Sequence, residues 1–220
     1  MPNDVLPEPL PADPMPLAAA WLAEAQRRAE QPNPHAMVLA TVDAQGQPAA
    51  RVVLCKDIVV DPGYLHFVTN YHSRKGQELA ANPRAALVFH WDQAHRQLRI
   101  EGLVRQSAPG ESDAYFASRP WASQLGAHAS AQSEPIASRA ALDAKLDAIT
   151  QRFGAAPRPG GLRIPRPTHW GGYLLWANAV ELWVEGSARF HDRARWTREV
   201  TLDAAGRPQA GPWRGTRLQP

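Results

Sequence analysis

From Ala36 onward, short apolar and partly β-branched runs alternate with turn residues, and this rhythm restricts the chain to sheets built from hairpins. Ala36–Val42 is the first run, Asp43-Ala44-Gln45-Gly46 supplies turn chemistry, and Ala49–Lys56 is the second run. Asp61-Pro62-Gly63 is a strong turn and leads into Tyr64–Thr69. Arg84–Trp91 and Arg96–Gln106 follow as strands. In the latter, Leu98, Ile100, Gly102 and Val104 alternate with Gln97, Arg99, Glu101 and Leu103, the period of a half-buried strand. Gly171–Glu185 reads as two further strands broken around Asn178, and the last strands of the chain follow them.

Helices are interposed. Residues 1–16 carry six prolines and are expected to form an extended or mobile arm with no helix. Residues 17–30 read as an amphipathic helix with Leu17 and Trp21 four apart, ended by Pro32 and Pro34. Ser73 is positioned to cap a short helix over Arg74–Ala81, stopped by Asn82-Pro83. Pro109–Ser118 reads as a helix closed by Arg119-Pro120. Ser138–Phe153 reads as another, with Leu142, Leu146, Ile149 and Phe153 on one face. Gly154–Thr168 is a Pro/Gly/Arg loop. Strands in hairpin order with helices between them predict a mainly β fold with peripheral helices, a closed antiparallel barrel in one domain over residues 17–220. No Gly-rich phosphate loop follows a strand, which argues against a dinucleotide-binding α/β fold.

Charge narrows the function classes. The net charge is +3, from 24 basic and 21 acidic residues scattered singly rather than in runs, which suits a small anionic ligand better than nucleic acid. Cys55, the single cysteine, excludes an intrachain disulfide and Cys-rich metal sites, and it reads as a small buried hydrophobe. The histidines show no metal-ligand spacing. With no run of 18 apolar residues and no secretory pattern at the N-terminus, a soluble cytoplasmic protein is expected.

Four clusters carry candidate chemistry. In an extended Arg189-Phe190-His191-Asp192-Arg193 segment, Arg189, His191 and Arg193 would share a face, a row of two cations and one titratable group preceded by the flat Trp183. Flavins, pyridine phosphates and nucleotides fit such a row. In Arg51-Val52-Val53-Leu54-Cys55-Lys56, Arg51, Val53 and Cys55 share a face, and Lys56 lies on the other unless the strand bulges; a cation at each end of an apolar run needs a partner or solvent. Thr69 through Lys75 leaves a strand and opens a helix. Arg74 and Lys75 are misplaced against the helix dipole there, which a bound phosphate would compensate and which solvation would also satisfy. Tyr115, Arg119 and Ser123 could together hold a phosphate dianion, although Tyr and Arg at helical spacing also pack together without a ligand.

These stretches, with Ser73-Arg74-Lys75, Asn82-Pro83-Arg84, Ser118-Arg119-Pro120, Ser123-Gln124-Leu125-Gly126, Gln132-Ser133, His169-Trp170-Gly171-Gly172 and Glu181-Leu182-Trp183, occur in an order that resembles the pyridoxamine 5′-phosphate oxidases. The likeness runs from about Leu10 to Pro220. It implies an FMN-binding split β-barrel and a homodimer with active sites shared between subunits. It also implies oxidation of pyridoxamine or pyridoxine 5′-phosphate to pyridoxal 5′-phosphate, with O2 as acceptor and H2O2 released. By this resemblance Arg51, Val52, Val53, Leu54, Cys55, Lys56, Val68, Thr69, Arg74, Lys75, Gln97, Gln132 and Ser133 would hold FMN, with Trp183 and Arg193 coming from the second subunit. Lys56, Tyr115, Arg119 and Ser123 would grip the substrate phosphate, and Arg189 and His191, with Phe190 between them, would position the pyridine ring.

The chain departs from the family's usual pattern at Leu182, Val184 and Phe190, and it lacks the basic-aromatic residues that many members carry before the Leu-Pro-Ala-Asp-Pro segment. The alternatives on the same fold are a phenazine-biosynthesis flavin oxidase and a non-catalytic split-barrel protein that binds FMN or pyridoxal phosphate.

Overall fold

The computed structural model describes residues 5–157 and 163–220. Six strands close the barrel: β1 (Ala36–Val42), β2 (Pro48–Val59), β3 (Tyr64–Asn70), β4 (Arg84–Trp91), β5 (Arg96–Gln106) and β6 (Trp170–Val184), in the cyclic order β6-β3-β2-β1-β4-β5. Every neighbouring pair is antiparallel. The run and turn pattern accounts for this, because each strand alternates between core and surface and each turn carries its Gly, Asp or Pro. Leu39, Leu65, Phe67, Leu87, Phe89, Leu98, Ile100 and Leu182 fill the interior.

β6 organises the closure. It pairs with β5 along one edge. On its other edge it serves β3 from Trp170 to Trp176 and then β7 (Asp192–Thr197) from Ala179 to Val184. The expected break at Asn178 is instead a bulge inside one continuous strand: Glu101 pairs with Ala179 and Gly102 with Ala177, leaving Asn178 as the extra residue. Its carbonyl accepts the Arg198 N–H, and the Arg198 guanidinium donates to the carbonyls of Ala177 and Gly63, stapling the place where β6 changes partner. β10 (Arg214–Leu218) extends β7, while β8 (Val200–Leu202) and β9 (Pro208–Ala210) form a separate hairpin.

The helices sit outside. α1 spans Met15–Arg28, starting two residues earlier than expected because Pro16 is tolerated in a first turn that lacks hydrogen-bond acceptors for its N–H. The proline-rich arm before it is docked, contrary to the expectation of an extended or mobile segment. Leu6 is buried and its N–H donates to Asp192, while the Pro11 carbonyl accepts the indole N–H of fully buried Trp196. Residues 1–4 lie outside the described residues. α2 (Arg74–Ala81) packs on β1, and α3 (Pro109–Ser118), α4 (Trp121–Ala129) and α5 (Arg139–Phe153) form a cap. α4 was not expected, since Pro120 reads as a breaker but here serves as the helix N-cap. The cap has its own small core of Phe116, Leu125, Ile164 and Trp170, with Ile149 and Phe153 of α5 against it. The apolar face expected on α5 is only partly covered: no residue of α5 is fully buried and Leu146 stays exposed. The loop expected over Gly154–Thr168 is irregular where described, and its residues 158–162 lie outside the described set. No helix among the described residues is long and apolar enough to cross a membrane.

The start of α2 depends on close backbone approach. Ser73 caps the helix by accepting the Gly76 N–H, and a Cβ at Gly76 would collide with the Tyr71 backbone. Helix propensity alone favours Gly76→Ala by ~1 kcal/mol. The collision reverses the sign, so Gly76→Ala is expected to lower the midpoint of urea unfolding; a raised midpoint would show that the turn before α2 relaxes freely.

Candidate functional site

The barrel is open along one seam. β2 pairs with β3 only from Cys55 to Val59, with a register shift that makes Lys56 the extra residue. Upstream of that bulge, Ala49–Leu54 pair with β1 alone, while Val68, Thr69 and Asn70 of β3 pair only with β6. A cleft of roughly 830 Å³ occupies the gap. Six consecutive β2 residues, Ala49 to Leu54, line it. A strand can do this only with its edge, because successive side chains leave on opposite faces. That edge offers unpaired backbone N–H and C=O groups to whatever enters.

One end of the cleft is built from β2, β3 and the α2 N-terminus. Glu78, on α2, is buried beneath it and accepts from Arg51 (2.8 Å), Arg74 (2.8 Å) and Thr41. Burial raises the Glu78 pKa, but the hydrogen bonds from Thr41, Arg51 and Arg74 outweigh burial and hold the carboxyl below its ordinary range. Lys75 is buried beside this group and, among the described residues, donates only to neutral oxygens, Gln132 Oε1 at 2.6 Å and Ser73 Oγ at 3.1 Å. Burial, with the nearby Arg51 charge, pushes its pKa down to about 8, against the opposing pull of Glu78. Thr69 also donates to Gln132, so the loop between α4 and α5 is tied to β3 and α2. Ser133, in the same loop, lines the cleft with a left-handed φ of 78°.

The other end is built from the cap. Tyr115 lies on α3, Arg119 follows the last turn of that helix, and Ser123 is in the first turn of α4. Arg119 has no ion-pair or hydrogen-bond partner for its side chain among the described residues, and its Nη1 is buried. Burial lowers its pKa, opposed only by Tyr115. Lys56 Nζ lies 5.6 Å from the centre of the Tyr115 ring. The bulge that the Arg51–Lys56 spacing left open is therefore present, and it delivers Lys56 to the same cleft as Arg51 and Val53.

Of the residues singled out in the sequence, Arg51, Val52, Val53, Leu54, Lys56, Val68, Thr69, Arg74, Lys75, Tyr115, Arg119, Ser123, Gln132 and Ser133 line this one cleft. Cys55 points away from it, buried in the barrel core, and burial pushes its thiol up to about 12. Only its backbone is available to a ligand in the seam. The extended row at the C-terminal end is not formed. Ala188 and Arg189 take left-handed backbone angles in a short 3-10 turn, Phe190 projects into solvent, and the strand begins only at Asp192. Arg189, His191 and Arg193 therefore do not share a strand face. A different row exists: Gln97, Trp183 and Arg193 stand in register across β5, β6 and β7. His191 packs against Trp183 with ring centres 4.6 Å apart, and its Nδ1 accepts the Gly186 N–H at 3.2 Å. Arg193 is paired with Glu181 at 2.9 Å. None of these C-terminal residues, nor Gln97, is among the described lining of the cleft within one chain.

Two contributors were missed. Glu78 carries only one sequence signal, the i, i+4 spacing to Arg74. Trp170 lines the cleft and is buried; it stands in the His169-Trp170-Gly171-Gly172 stretch without any charge to mark it.

A six-stranded barrel opened along one seam, with cations gathered at both ends of the opening, defines a split barrel whose cleft suits anionic ligands. Comparison with known proteins narrows the class. The family model described as pyridoxamine 5′-phosphate oxidase matches residues 23–153, and that of the pyridoxine 5′-phosphate oxidase C-terminal dimerisation region matches residues 170–220. A pyridoxine/pyridoxamine 5′-phosphate oxidase from Cupriavidus necator is 47% identical over 208 residues, covering 94% of this chain and 89% of the relative. One from Burkholderia thailandensis is 49% identical over 200 residues, covering 91% and 86%. Among solved structures, PhzG from Burkholderia lata in complex with tetrahydrophenazine-1-carboxylic acid superposes with a TM-score of 0.83 at 29% identity, covering 99% of each chain. An FMN-binding protein from Nostoc punctiforme shares the fold, with a TM-score of 0.68 at 18% identity over 94% of this chain and 97% of that one. The chain belongs to the pyridoxamine 5′-phosphate oxidase family.

Glu78→Gln is expected to cost ~3 kcal/mol of unfolding free energy at neutral pH, the low end for a broken buried ion pair because Arg74 stays well solvated. The Glu78 carboxyl has a folded pKa below its ordinary 4.5, so its contribution is complete above that value and is lost as pH falls through the folded one. Urea titrations at several pH values should therefore give a shallower acid limb in the variant than in the wild type.

Proposed function

We propose that this protein is an FMN-dependent oxidase, one domain that works as a homodimer and converts pyridoxamine or pyridoxine 5′-phosphate to pyridoxal 5′-phosphate, with O2 as acceptor and H2O2 released. The observation that carries the reading is the pair of cationic groups in one cleft: Arg51, Arg74 and Lys75 at one end, Lys56 and Arg119 at the other. A cofactor phosphate and a substrate phosphate would each find one. Among the described cleft residues, buried Lys75 and half-buried Arg119 have no carboxylate partner, which supports an anion at each end.

Arg74 and Lys75 would hold the FMN phosphate with the help of the α2 N-terminus. Arg51, Val52, Val53, Leu54 and the Cys55 backbone would meet the flavin with the free edge of β2, while Val68, Thr69, Gln132 and Ser133 close the opposite wall. FMN, when bound, supplies the hydride chemistry, and the chain's own residues orient the reactants and exclude water. Lys56, Tyr115, Arg119 and Ser123 would grip the substrate phosphate. Arg189 and His191, flanking Phe190, would position the pyridine ring. With Nδ1 of neutral His191 accepting from Gly186, Nε2 carries the proton and can donate to the substrate.

A shared active site is supported by what one chain leaves apart. Gln97, Trp183 and Arg193 form a row outside the cleft of their own subunit. The outer face of β1 and β2 leaves Val38, Val52 and Leu54 exposed, an apolar surface suited to a second copy. Two-fold pairing would bring the 183–193 region of one subunit to the seam of the other. A cytoplasmic setting agrees with the free, buried thiol of Cys55.

The likeness to PhzG keeps a phenazine-type oxidase as the second reading. The tetrahydrophenazine carboxylic acid bound there carries a carboxylate and no phosphate, so the Tyr115, Arg119 and Ser123 group, which suits a dianion, would meet at most a monoanion in that chemistry.

Purified protein should carry a yellow flavin spectrum and, given pyridoxamine 5′-phosphate under air, form aldehyde and peroxide; bound flavin without turnover would sink the oxidase reading. Arg189→Ala or His191→Ala should lower kcat/KM by ~100-fold or more while flavin is retained. Arg74→Ala should instead weaken FMN retention, and normal retention with only substrate affinity lost would exchange the two phosphate sites.

Protonated Lys75 favours a phosphate, and in the free site it loses its proton near pH 8. A bound anion raises that value, so FMN affinity is full below it and declines above it, by up to ~10-fold per pH unit. Flavin-fluorescence titration between about pH 7 and 9.5 should show this break in the wild type and not in Lys75→Arg.

A further inference from the structure

The cations of the cleft are held in two different ways. Arg51 and Arg74 are held by the Glu78 carboxylate. Arg119 is held by an aromatic face: its guanidinium carbon lies 4.5 Å from the ring centre of Trp170. The indole is itself fixed. It belongs to the cap core, it is 6% exposed, the Tyr115 ring lies nearly parallel to it at 6.2 Å and 8°, and Phe116 meets it edge-on at 5.3 Å. Its backbone carbonyl accepts from Arg166, whose other arm is paired with Asp113, and its backbone N–H donates to Pro167. The Arg119 backbone is pinned in turn, its carbonyl accepting Gln124 Nε2 at 2.8 Å.

A carboxylate partner would orient Arg119 by occupying its N–H donors and cancelling its charge. An aromatic face orients the guanidinium plane through the ring quadrupole and leaves both the charge and the in-plane donors free. The buried, unpartnered Nη1 is the mark of that arrangement.

We propose that Trp170 is a positioning residue for the substrate phosphate, acting through Arg119: it holds the guanidinium at the cap end of the cleft with its charge uncancelled. The proposal rests on the reading of Arg119 as a phosphate ligand given above. Trp170 touches no reacting atom; it sets how tightly the phosphorylated substrate and product bind, and leaves flavin retention to Arg51, Arg74 and Lys75.

The test is a double-mutant cycle on flavin-loaded protein with Trp170→Leu, Arg119→Ala and the pair. It reads KM and kcat for pyridoxamine 5′-phosphate and, independently of turnover, the dissociation constant of pyridoxal 5′-phosphate by calorimetry. Trp170→Leu is expected to raise KM and the product dissociation constant by about 10-fold with kcat and flavin content within about twofold, and to add nothing in the Arg119→Ala background. Trp170→Phe, which keeps an aromatic face, should restore most of the affinity, and it replaces Trp170→Leu in the cycle if the latter fails to fold. Additive effects of the two substitutions, or wild-type affinity in the Trp170 variant while Arg119→Ala is impaired, would overturn the proposal. Arg119→Ala without effect on KM or product affinity would instead remove the placement of the substrate phosphate at Arg119, and the role of Trp170 with it.

Discussion

The seam between β2 and β3 is the constraint on which the rest depends. A barrel of six strands normally satisfies every backbone edge by closing on itself. Here β2 pairs with β3 at only four positions around the register shift at Lys56, so Ala49–Leu54 keep one edge unpaired. The missing ladder is not a defect of packing, because β2 stays anchored to β1 through seven paired positions on its other edge. What it creates is a wall of backbone polar groups facing a cleft, which must be met by solvent or ligand. The α2 N-terminus, the α4–α5 loop and the helical cap surround that opening, and the cations in it come from β2, the start of α2 and the cap.

Charge management then differs between the two ends of the cleft. At the α2 end, the buried Glu78 carboxylate neutralises part of the charge of Arg51 and Arg74, which lets two arginines stand together with Lys75 without unfolding the helix start. At the cap end the supports are π faces, Tyr115 beneath Lys56 and Trp170 beneath Arg119. Carboxylate support cancels part of the cationic charge, whereas aromatic support leaves it uncancelled. The fold brings each group together from separate elements: Arg51 on β2 with Arg74 and Lys75 on α2 at one end, and Lys56 on the β2 bulge with Arg119 on the cap at the other.

Much of the barrel was legible from local pattern. β1, β4 and β5 match their expected bounds, and Ser73 caps α2 as its position suggested, because period-two alternation and capping chemistry are local. The errors share a cause in long-range pairing. Asn178 reads as a break, but a bulge absorbs it because β5 continues past it on the neighbouring edge. The proline-rich arm reads as extended or mobile, but residues far along the chain hold it: Trp196 donates to the Pro11 carbonyl and Asp192 accepts the Leu6 N–H. The Arg189, His191 and Arg193 row assumed a strand where left-handed residues make a turn. Fourteen of the cleft residues were identifiable: the cations and hydroxyls of the Arg51, Thr69–Lys75 and Tyr115–Ser123 clusters stand out by residue type, while Val68, Gln132 and Ser133 were implied only by the family resemblance. Trp170 and Glu78 did not stand out, since an indole or a helix carboxylate gains its meaning only from what it faces.

The sequence by itself determined the class of fold, the positions of the hairpin strands, the family likeness and the stock of cations available for anionic ligands. These follow from short-range rules: alternation, turn chemistry, caps and residue type. The tertiary structure decided where the sheet opens, which acid balances which arginine, which aromatic ring supports Arg119, and that the 183–193 region lies outside its own chain's cleft. Each of those outcomes depends on which edges and faces meet across many intervening residues, and strand register at the Lys56 bulge, a matter of one residue, is what brings them together.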